Sequence, residues 1–545
     1  MGEKVEGHGG HMALTALRPF GVEELFTLSG GHIFPLLDAA ARGEPPLRLI
    51  DTRHEQTATF AAEGMAKLTR RPGVVALTAG PGITNGISAM TTAHFNGSPL
   101  VVLGGRAPQA RWGSGSLQEL DHVPLVAPIT KDAVTIGSVD EITPTVGRLA
   151  HLAATPHRGP VFADLPLDVV FSSGTVELDG SVDMAAIESI EADPSEVAAA
   201  ARLLARAERP AVVIGSDVYW AGAWSELRAV VEELRVPVFS NGLGRGCLPA
   251  DHELAFSRTR GLLKSDADLV VVVGTPLDFR LSFGRFGSAQ VVHVVDHPDQ
   301  RAAHAEVAAA PAGDLRAVLA AMAGYHGDRV DHDGWIGRLR DAETAASAAD
   351  ADVLEAAATP IKPGRIYGEL RRRLDRDAVV VCDGGDFVSY AGKYVDSYRP
   401  GCWLDPGPYG CLGTGLGYSI AARLARPDTQ VVAVMGDGAA GFSLMDADSL
   451  VRHGLPVVIV LGNNGIWGLE KHPMRMLYGY DVAADLQPGC RYDEVVRALG
   501  GAGEVVERPG EIGPALDRAF ASGVPYLVNV ITDPDDVYPR SSNLA

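Results

Sequence analysis

Short, wholly apolar, β-branched runs, each broken by a polar turn, constrain this chain more than any other feature. Val431-Val432-Ala433-Val434-Met435 leads into Gly436-Asp437-Gly438, and Val457-Val458-Ile459-Val460-Leu461 leads, one glycine later, into Asn463-Asn464. A strand that is apolar on both faces is buried on both, as in a parallel sheet covered by helices. Comparable runs at 74–77, 100–103, 211–215, 269–274, 291–296, 378–382 and 526–531 alternate with helical patterns such as 53–69, 226–234 and 365–374. The alternation predicts an α/β protein built of three doubly wound parallel-sheet domains. They are expected at 1–175, 193–345 and 360–532. An acidic, irregular stretch (175–193) and an Ala-rich stretch with helical propensity (342–359) would separate them. A polar tail, 533–545, would serve as a mobile end or a lid over the site.

Bulk properties exclude several classes. A formal net charge of −21 over 545 residues argues against a nucleic-acid partner and against a general affinity for anionic membranes. No apolar stretch reaches the ~18–20 residues of a membrane span. The five cysteines form no Cys-x-x-Cys pair, which points to a reducing, cytoplasmic setting. The Gly- and His-rich start, 1–12, lacks the apolar core of a signal peptide and is expected to be frayed.

Chemistry is expected at the carboxyl edge of the strands, where open α/β sheets bind ligands. Asp437 and Asn464 lie 27 positions apart, room for one helix and one strand. A carboxylate and an amide oxygen on neighbouring strand ends can share a hard cation such as Mg²⁺, which completes its shell with water and phosphate oxygens. Gly438 and Ala439 would then offer backbone N–H groups to a phosphate where the next helix begins. Gly384-Gly385-Asp386 follows another strand, and its amides can also reach phosphate. Arg53-His54-Glu55-Gln56 opens a helix rich in small residues. Taken alone, Glu55 would merely favour the helix macrodipole.

Gly-Asp-Gly followed by Asn-Asn resembles the thiamine-diphosphate signature, and the chain resembles the decarboxylase and synthase branch of that superfamily along nearly its whole length. The resemblance implies a pyrimidine-binding domain, a central nucleotide-type domain and a diphosphate-binding domain, in that order. It implies Asp437 and Asn464 as side-chain metal ligands and the carbonyl of Ile466 as the third, with Asn463 and Gly465 as the alternative pair. Glu55 would face the cofactor's aminopyrimidine and favour its imino tautomer. The loop Gly80-Pro81-Gly82-Ile83-Thr84-Asn85 would lie beside the cofactor, with Pro81 and Asn85 among its contacts. Leu412, in Gly410-Cys411-Leu412-Gly413, would prop the cofactor in its bent form. The active unit would be at minimum a homodimer, commonly a homotetramer, with each site shared between two chains.

Within the branch, Gln118, Glu470 and His32 resemble residues on the substrate side. Phe279-Arg280-Leu281-Ser282-Phe283-Gly284 resembles the ADP-binding segment of 2-hydroxyacyl-CoA lyases and oxalyl-CoA decarboxylases. Arg158, Gly215, Arg280 and Asp296 fit the places for phosphate and ribose. Acetolactate synthases place a flavin in the same domain. The expected activity is therefore that of a 2-hydroxyacyl-CoA lyase: an acyl-CoA thioester is cleaved between its carbonyl and its hydroxyl-bearing carbon to give an aldehyde or ketone and formyl-CoA. Glu470 would be the general acid/base. An acetolactate-synthase-like or 2-oxoacid decarboxylase activity is the alternative, and a non-catalytic nucleotide-binding scaffold is the alternative of another class. Two residues depart from the lyase pattern, Gly438 where lyases often have Ser and Trp467 where they often have Tyr.

Overall fold

A computed structural model describes residues 3–178 and 186–538. Three wholly parallel sheets carry the chain, as the apolar runs require. The first has six strands in the order Arg48–Asp51, Glu24–Thr27, Gly73–Leu77, Leu100–Arg106, Pro160–Pro166, Ala133–Thr135. The middle sheet has five, in the order Ala255–Phe256, Val238–Ser240, Pro210–Ile214, Leu269–Val273, Gln290–Val294. The third again has six: Trp403–Leu404, Val379–Asp383, Val431–Gly436, Val458–Asn463, Tyr526–Ile531, Ala502–Val506. The central strands are buried along their length and the helices cover both faces. No helix among the described residues is long and apolar enough to cross a membrane.

The amino-terminal stretch departs from expectation. Glu3–His8 is a strand that pairs antiparallel with Ser173–Leu178, and Gly9–Thr15 is a helix whose Met12 is buried. Ladder hydrogen bonds and that apolar contact outweigh the glycine-rich composition. The same pairing gives structure to the first residues of the stretch expected to be an irregular linker. The Ala-rich region lies largely in the helix Asp333–Leu354.

Two helices join the first domain to the third. Glu55–Thr69 and Thr414–Ala425 run side by side in parallel, because small residues let their backbones approach. A Cβ on Gly417 would sit 2.6 Å from the Phe60 Cβ and 2.9 Å from the Thr57 carbonyl oxygen. Across this contact lies a buried charged cluster. Lys67 Nζ is 3.0 Å from Glu63 Oε1 and donates to Tyr418 Oη at 2.8 Å, and Tyr418 Oη donates to Glu63 Oε2 at 2.7 Å. Asn96 and Ser98 also donate to Glu63. Removing one partner leaves the other charge buried and alone, which costs about 3–5 kcal/mol. Lys67→Met should therefore lower the urea midpoint sharply, and the double change Glu63→Gln/Lys67→Met should lower it less. Equal losses in both would show that the charges do not depend on each other.

Candidate active site

The third sheet sets the metal-type residues by register. Gly436 pairs with Gly462, so Asp437 and the Asn463-Asn464 turn leave adjacent strand ends together. Asp437 is 3 % exposed. Its Oδ2 accepts from Gly465 N at 2.7 Å and its Oδ1 from its neighbour Gly438 N at 3.1 Å. Burial pushes its pKa up to about 6, against the pull of those N–H groups. Among the described residues no basic side chain neutralises it. A buried carboxylate with free lone pairs and no cation of its own fits a divalent ion.

The neighbouring loop carries both ligand sets left open by sequence. Asn463 commits its amide nitrogen to Cys490 O (2.9 Å) and Asn529 Oδ1 (3.1 Å), and the Gly465 carbonyl accepts from Leu486 N at 2.8 Å. Asn464 is engaged only within its own turn, its Oδ1 accepting from Ile466 N at 3.2 Å. Asn463 Oδ1 is buried without a hydrogen-bond partner among the described residues, so both asparagine oxygens stand available at this strand end.

Two helix starts meet beside this turn. Gly438 and Ala439 lie in the first turn of Asp437–Ser443, and Gly385 and Asp386 in the first turn of Gly385–Tyr394. Gly384 has φ +83°, and a Cβ there would lie 2.6 Å from that of Ala439 and 3.8 Å from Leu412 Cδ2. The two helix starts and Leu412 therefore converge, an arrangement suited to a diphosphate. Trp467 lies across Gly438, its ring 2.5 Å from where a Cβ would be, so the residue that departs from the lyase pattern packs against the second departure.

The first domain supplies the other half. Glu55 is the first residue of its helix, is 7 % exposed, and accepts from Asn85 Nδ2 at 2.9 Å. Pro81 opens the helix that carries Asn85. Gln118 holds a left-handed backbone, φ +59°, with its Cβ 3.0 Å from where one on Gly80 would be. A non-glycine residue in that conformation is strained, and such strain concentrates at working sites. His32 and Gln118 line a cavity of about 540 Å³ with Thr78, Arg111 and Leu117. Burial holds the His32 imidazole below its ordinary pKa, and a backbone hydrogen bond with Leu117 partly offsets this.

Contacts within one chain tie the halves together. Gln56 Nε2 donates to Leu412 O at 3.1 Å and Arg53 N to Asp446 Oδ1 at 2.7 Å. Glu470 stands apart: it is exposed in the first turn of Gly468–Tyr478, and its carboxylate joins none of these contacts.

Three supporting residues escaped sequence reading. His122 is fully buried; its Nε2 accepts from Gly80 N at 3.0 Å, which places its proton on Nδ1, 2.9 Å from Asp164 Oδ1. It fixes the turn before Pro81. Asp383 accepts from Gly413 N and Gly415 N and clamps the Leu412 segment; burial pushes its pKa up to about 7. No motif marks either residue, since their partners are distant in sequence. His157 is the third.

In the middle domain Arg158 and Arg280 line a cavity of about 640 Å³, with Lys131, His157, Ser216 and Thr275. Gly215 precedes this Ser216 at the end of Pro210–Ile214. Arg280 is already bound to Asp278, and Asp296 to His157 Nδ1 at 3.1 Å. Burial opposes the His157 charge, but Asp217 and Asp296 raise its pKa to about 9. The ribose acceptor expected at Asp296 is thus engaged by an internal cation. The tail begins against the third domain, where Tyr390 Oη donates to Asp536 Oδ1 at 2.8 Å. Residues 540–543, expected to close over the site, lie outside the described residues.

Comparison with known proteins agrees with this geometry. The thiamine pyrophosphate enzyme N-terminal TPP binding domain matches residues 7–125, the central domain 197–322 and the C-terminal TPP binding domain 383–530. A probable acetolactate synthase of Mycobacterium bovis is 53% identical over 544 residues, covering 99% of this chain and 98% of that protein. The acetolactate synthase large subunit IlvG of Mycobacterium tuberculosis matches equally. The 2-hydroxyacyl-CoA lyase 2 of Homo sapiens is 33% identical over 96% of this chain and 90% of its own. The chain belongs to the thiamine pyrophosphate enzymes and is a thiamine-diphosphate-dependent enzyme of carbon–carbon bond chemistry.

Proposed function

We propose that this enzyme is acetolactate-synthase-like: it decarboxylates one 2-oxoacid and joins the remainder to the carbonyl of a second. Two 2-oxoacid anions and one proton then give one 2-hydroxy-3-oxoacid anion and CO₂. The observation that carries this reading is the 53% end-to-end identity to proteins named acetolactate synthases. It displaces the 2-hydroxyacyl-CoA lyase from first place. The lyase stays as the second reading, on the 33–34% identity to animal enzymes of that name.

In this reading Asp437, Asn464 and the Ile466 carbonyl hold Mg²⁺, and the amides of Gly438, Ala439, Gly385 and Asp386 receive the diphosphate. Bound thiamine diphosphate supplies the nucleophilic carbon and the electron sink. Glu55 exchanges a proton with the aminopyrimidine, and Asn85 keeps its carboxyl oriented. Leu412 supports the cofactor from below. His32, neutral near pH 7, and Gln118 offer hydrogen bonds to the substrate, and Arg111 offers a charge to its carboxylate. Glu470 takes part as an acid/base only where a second subunit covers its helix. Such cover is plausible on apolar grounds: Phe442, Met445, Met476, Leu477, Tyr480 and Val482 are all exposed in the single chain. A homodimer, or a homotetramer built from it, would bury them. The basic middle cavity suits ADP or the equivalent half of a flavin. The setting is the cytoplasm.

Products distinguish the readings. With thiamine diphosphate and Mg²⁺, pyruvate should give CO₂ and acetolactate by mass spectrometry. Formyl-CoA from 2-hydroxyacyl-CoA, with pyruvate inert, would reverse the order of the two readings. Glu55→Gln should lower kcat by ~10²–10⁴-fold while cofactor still binds. Asn464→Ala should instead raise the Mg²⁺ concentration needed for half-maximal activity, and Asn463→Ala should chiefly lower stability. Mixing subunits tests the shared site: inactive Glu55→Gln and Asp437→Ala chains, unfolded and refolded together, should regain activity if each site takes one residue from each chain. Continued inactivity of folded hybrids would place both residues in one chain.

A further inference from the structure

A third cavity, of about 600 Å³, lies between the middle and third domains and shares no lining residue with the two cavities above. Its walls are the segment 255–260, Arg245, the helix Asp333–Leu354, and the residues around the end of Gly385–Tyr394, including Gly392, Asp396 and Ser397. That is the opposite end of the helix whose first amides serve the diphosphate. Four arginines line it: Arg245, Arg258, Arg260 and Arg340.

The charges there are unbalanced. The carboxylates are already satisfied. Glu343 accepts from Ser257, from Arg258 N and from Thr259 Oγ1; Asp350 binds Arg258 at 2.8 Å and Lys393 at 2.7 Å; Asp396 pairs with Arg371 at 3.3 Å. The guanidinium groups are not. Arg245 donates only to the backbone carbonyls of Gly392 and Val395 and stacks on Trp403; Arg340 donates to the Glu253 carbonyl and stacks on Phe256. Arg260 has no ion-pair partner among the described residues, and its buried Nε and Nη2 lack any hydrogen bond, as do Arg258 Nη2 and Arg245 Nε. Burial, with Arg280 and Arg245 nearby, pushes the Arg260 pKa down to about 10, so it remains charged at neutral pH. Buried donors and charges are ordinarily paired. Four arginines around a concave space, three of them with no carboxylate partner among the described residues, match an anion with several oxygens, which guanidinium forks bind in pairs.

We propose that this cavity is a binding site for a phosphorylated small molecule, with Arg260 as its principal anchor and Arg258 and Arg340 beside it. Phe239, Leu248 and Phe256 in the wall leave an apolar surface for the organic part. The cavity is within the usual range for a small-molecule site. The assignment does not depend on which carbon–carbon reaction the enzyme runs.

The test uses the full-length enzyme saturated with thiamine diphosphate and Mg²⁺, so that the diphosphate cradle is filled. Inorganic phosphate and glycerol 3-phosphate are titrated by calorimetry at low chloride. At least one should bind, and Arg260→Gln should weaken it tenfold or more while Arg158→Gln, in the other basic cavity, leaves it unchanged. Tighter binding of the ester would identify an organic phosphate, and tighter binding of phosphate the free ion. Thermal melting separates binding from a structural role. Without phosphate, Arg260→Gln should melt no lower than the parent, since it removes an uncompensated charge; with phosphate, only the parent should gain stability. Arg340→Gln gives a second, more exposed variant. No binding of either probe, loss with Arg158→Gln instead, or an Arg260→Gln protein that melts lower yet binds phosphate normally would overturn the proposal.

Discussion

The parallel packing of Glu55–Thr69 against Thr414–Ala425 is the constraint on which the site depends. Each helix begins at a working residue: Glu55 starts the first, and the second starts just after Leu412. Glycine at 64 and 417 brings the backbones close, and close backbones permit little axial slip. Tyr418 then sets the register, because a shift of one residue would take its hydroxyl away from both Glu63 and Lys67, which pair with each other on the first helix. Glu55 lies two helical turns before Glu63 on the same face. A buried tyrosine that looks like mere interdomain glue therefore helps to fix where Glu55 stands relative to Leu412 of the same chain.

A second constraint acts across the third sheet. Parallel register brings Asp437 and Asn464 to one edge at no cost beyond the sheet itself, yet it buries a carboxylate with only two N–H donors. A divalent ion at this edge, as proposed above, would supply the missing counter-charge. The contrast with Asp164 is instructive: that carboxylate, equally buried, is satisfied internally by His122 and Arg106. Buried acids divide into those with protein partners, which hold the frame, and those without, which await a ligand. The same comparison, with the sign reversed, separates Arg106 from Arg260.

How much of this was legible in the sequence follows from the range of each interaction. Asp437, Asn464 and Glu55 could be read because periodicity announces a strand or helix, and each sits at its end. Sequence does not separate Asn464 from Asn463, since the contacts that hold the turn come from Cys490, Leu486 and Asn529, which no local pattern connects to it. His122 was invisible for the same reason: its partners are Gly80 and Asp164, each 42 positions away. The amino-terminal strand was misjudged because pairing with 173–178 is a tertiary fact, and glycine content is only a local one. Substrate class was the least legible, resting on a middle-domain segment that lyases and synthases both use to hold a nucleotide-like group.

Arg280 and Asp296 suggested an open nucleotide site when considered singly, but in place Arg280 is bound by Asp278 and Asp296 by His157. Protonated His157, set between Asp217 and Asp296, makes that end of the cavity a balanced polar wall. Arg158 and Lys131 then remain as its basic groups, and among the described residues no ion pair binds either. A resemblance drawn from Arg280 and Asp296 therefore carries less about substrate than the paired motifs of the outer domains carry about cofactor.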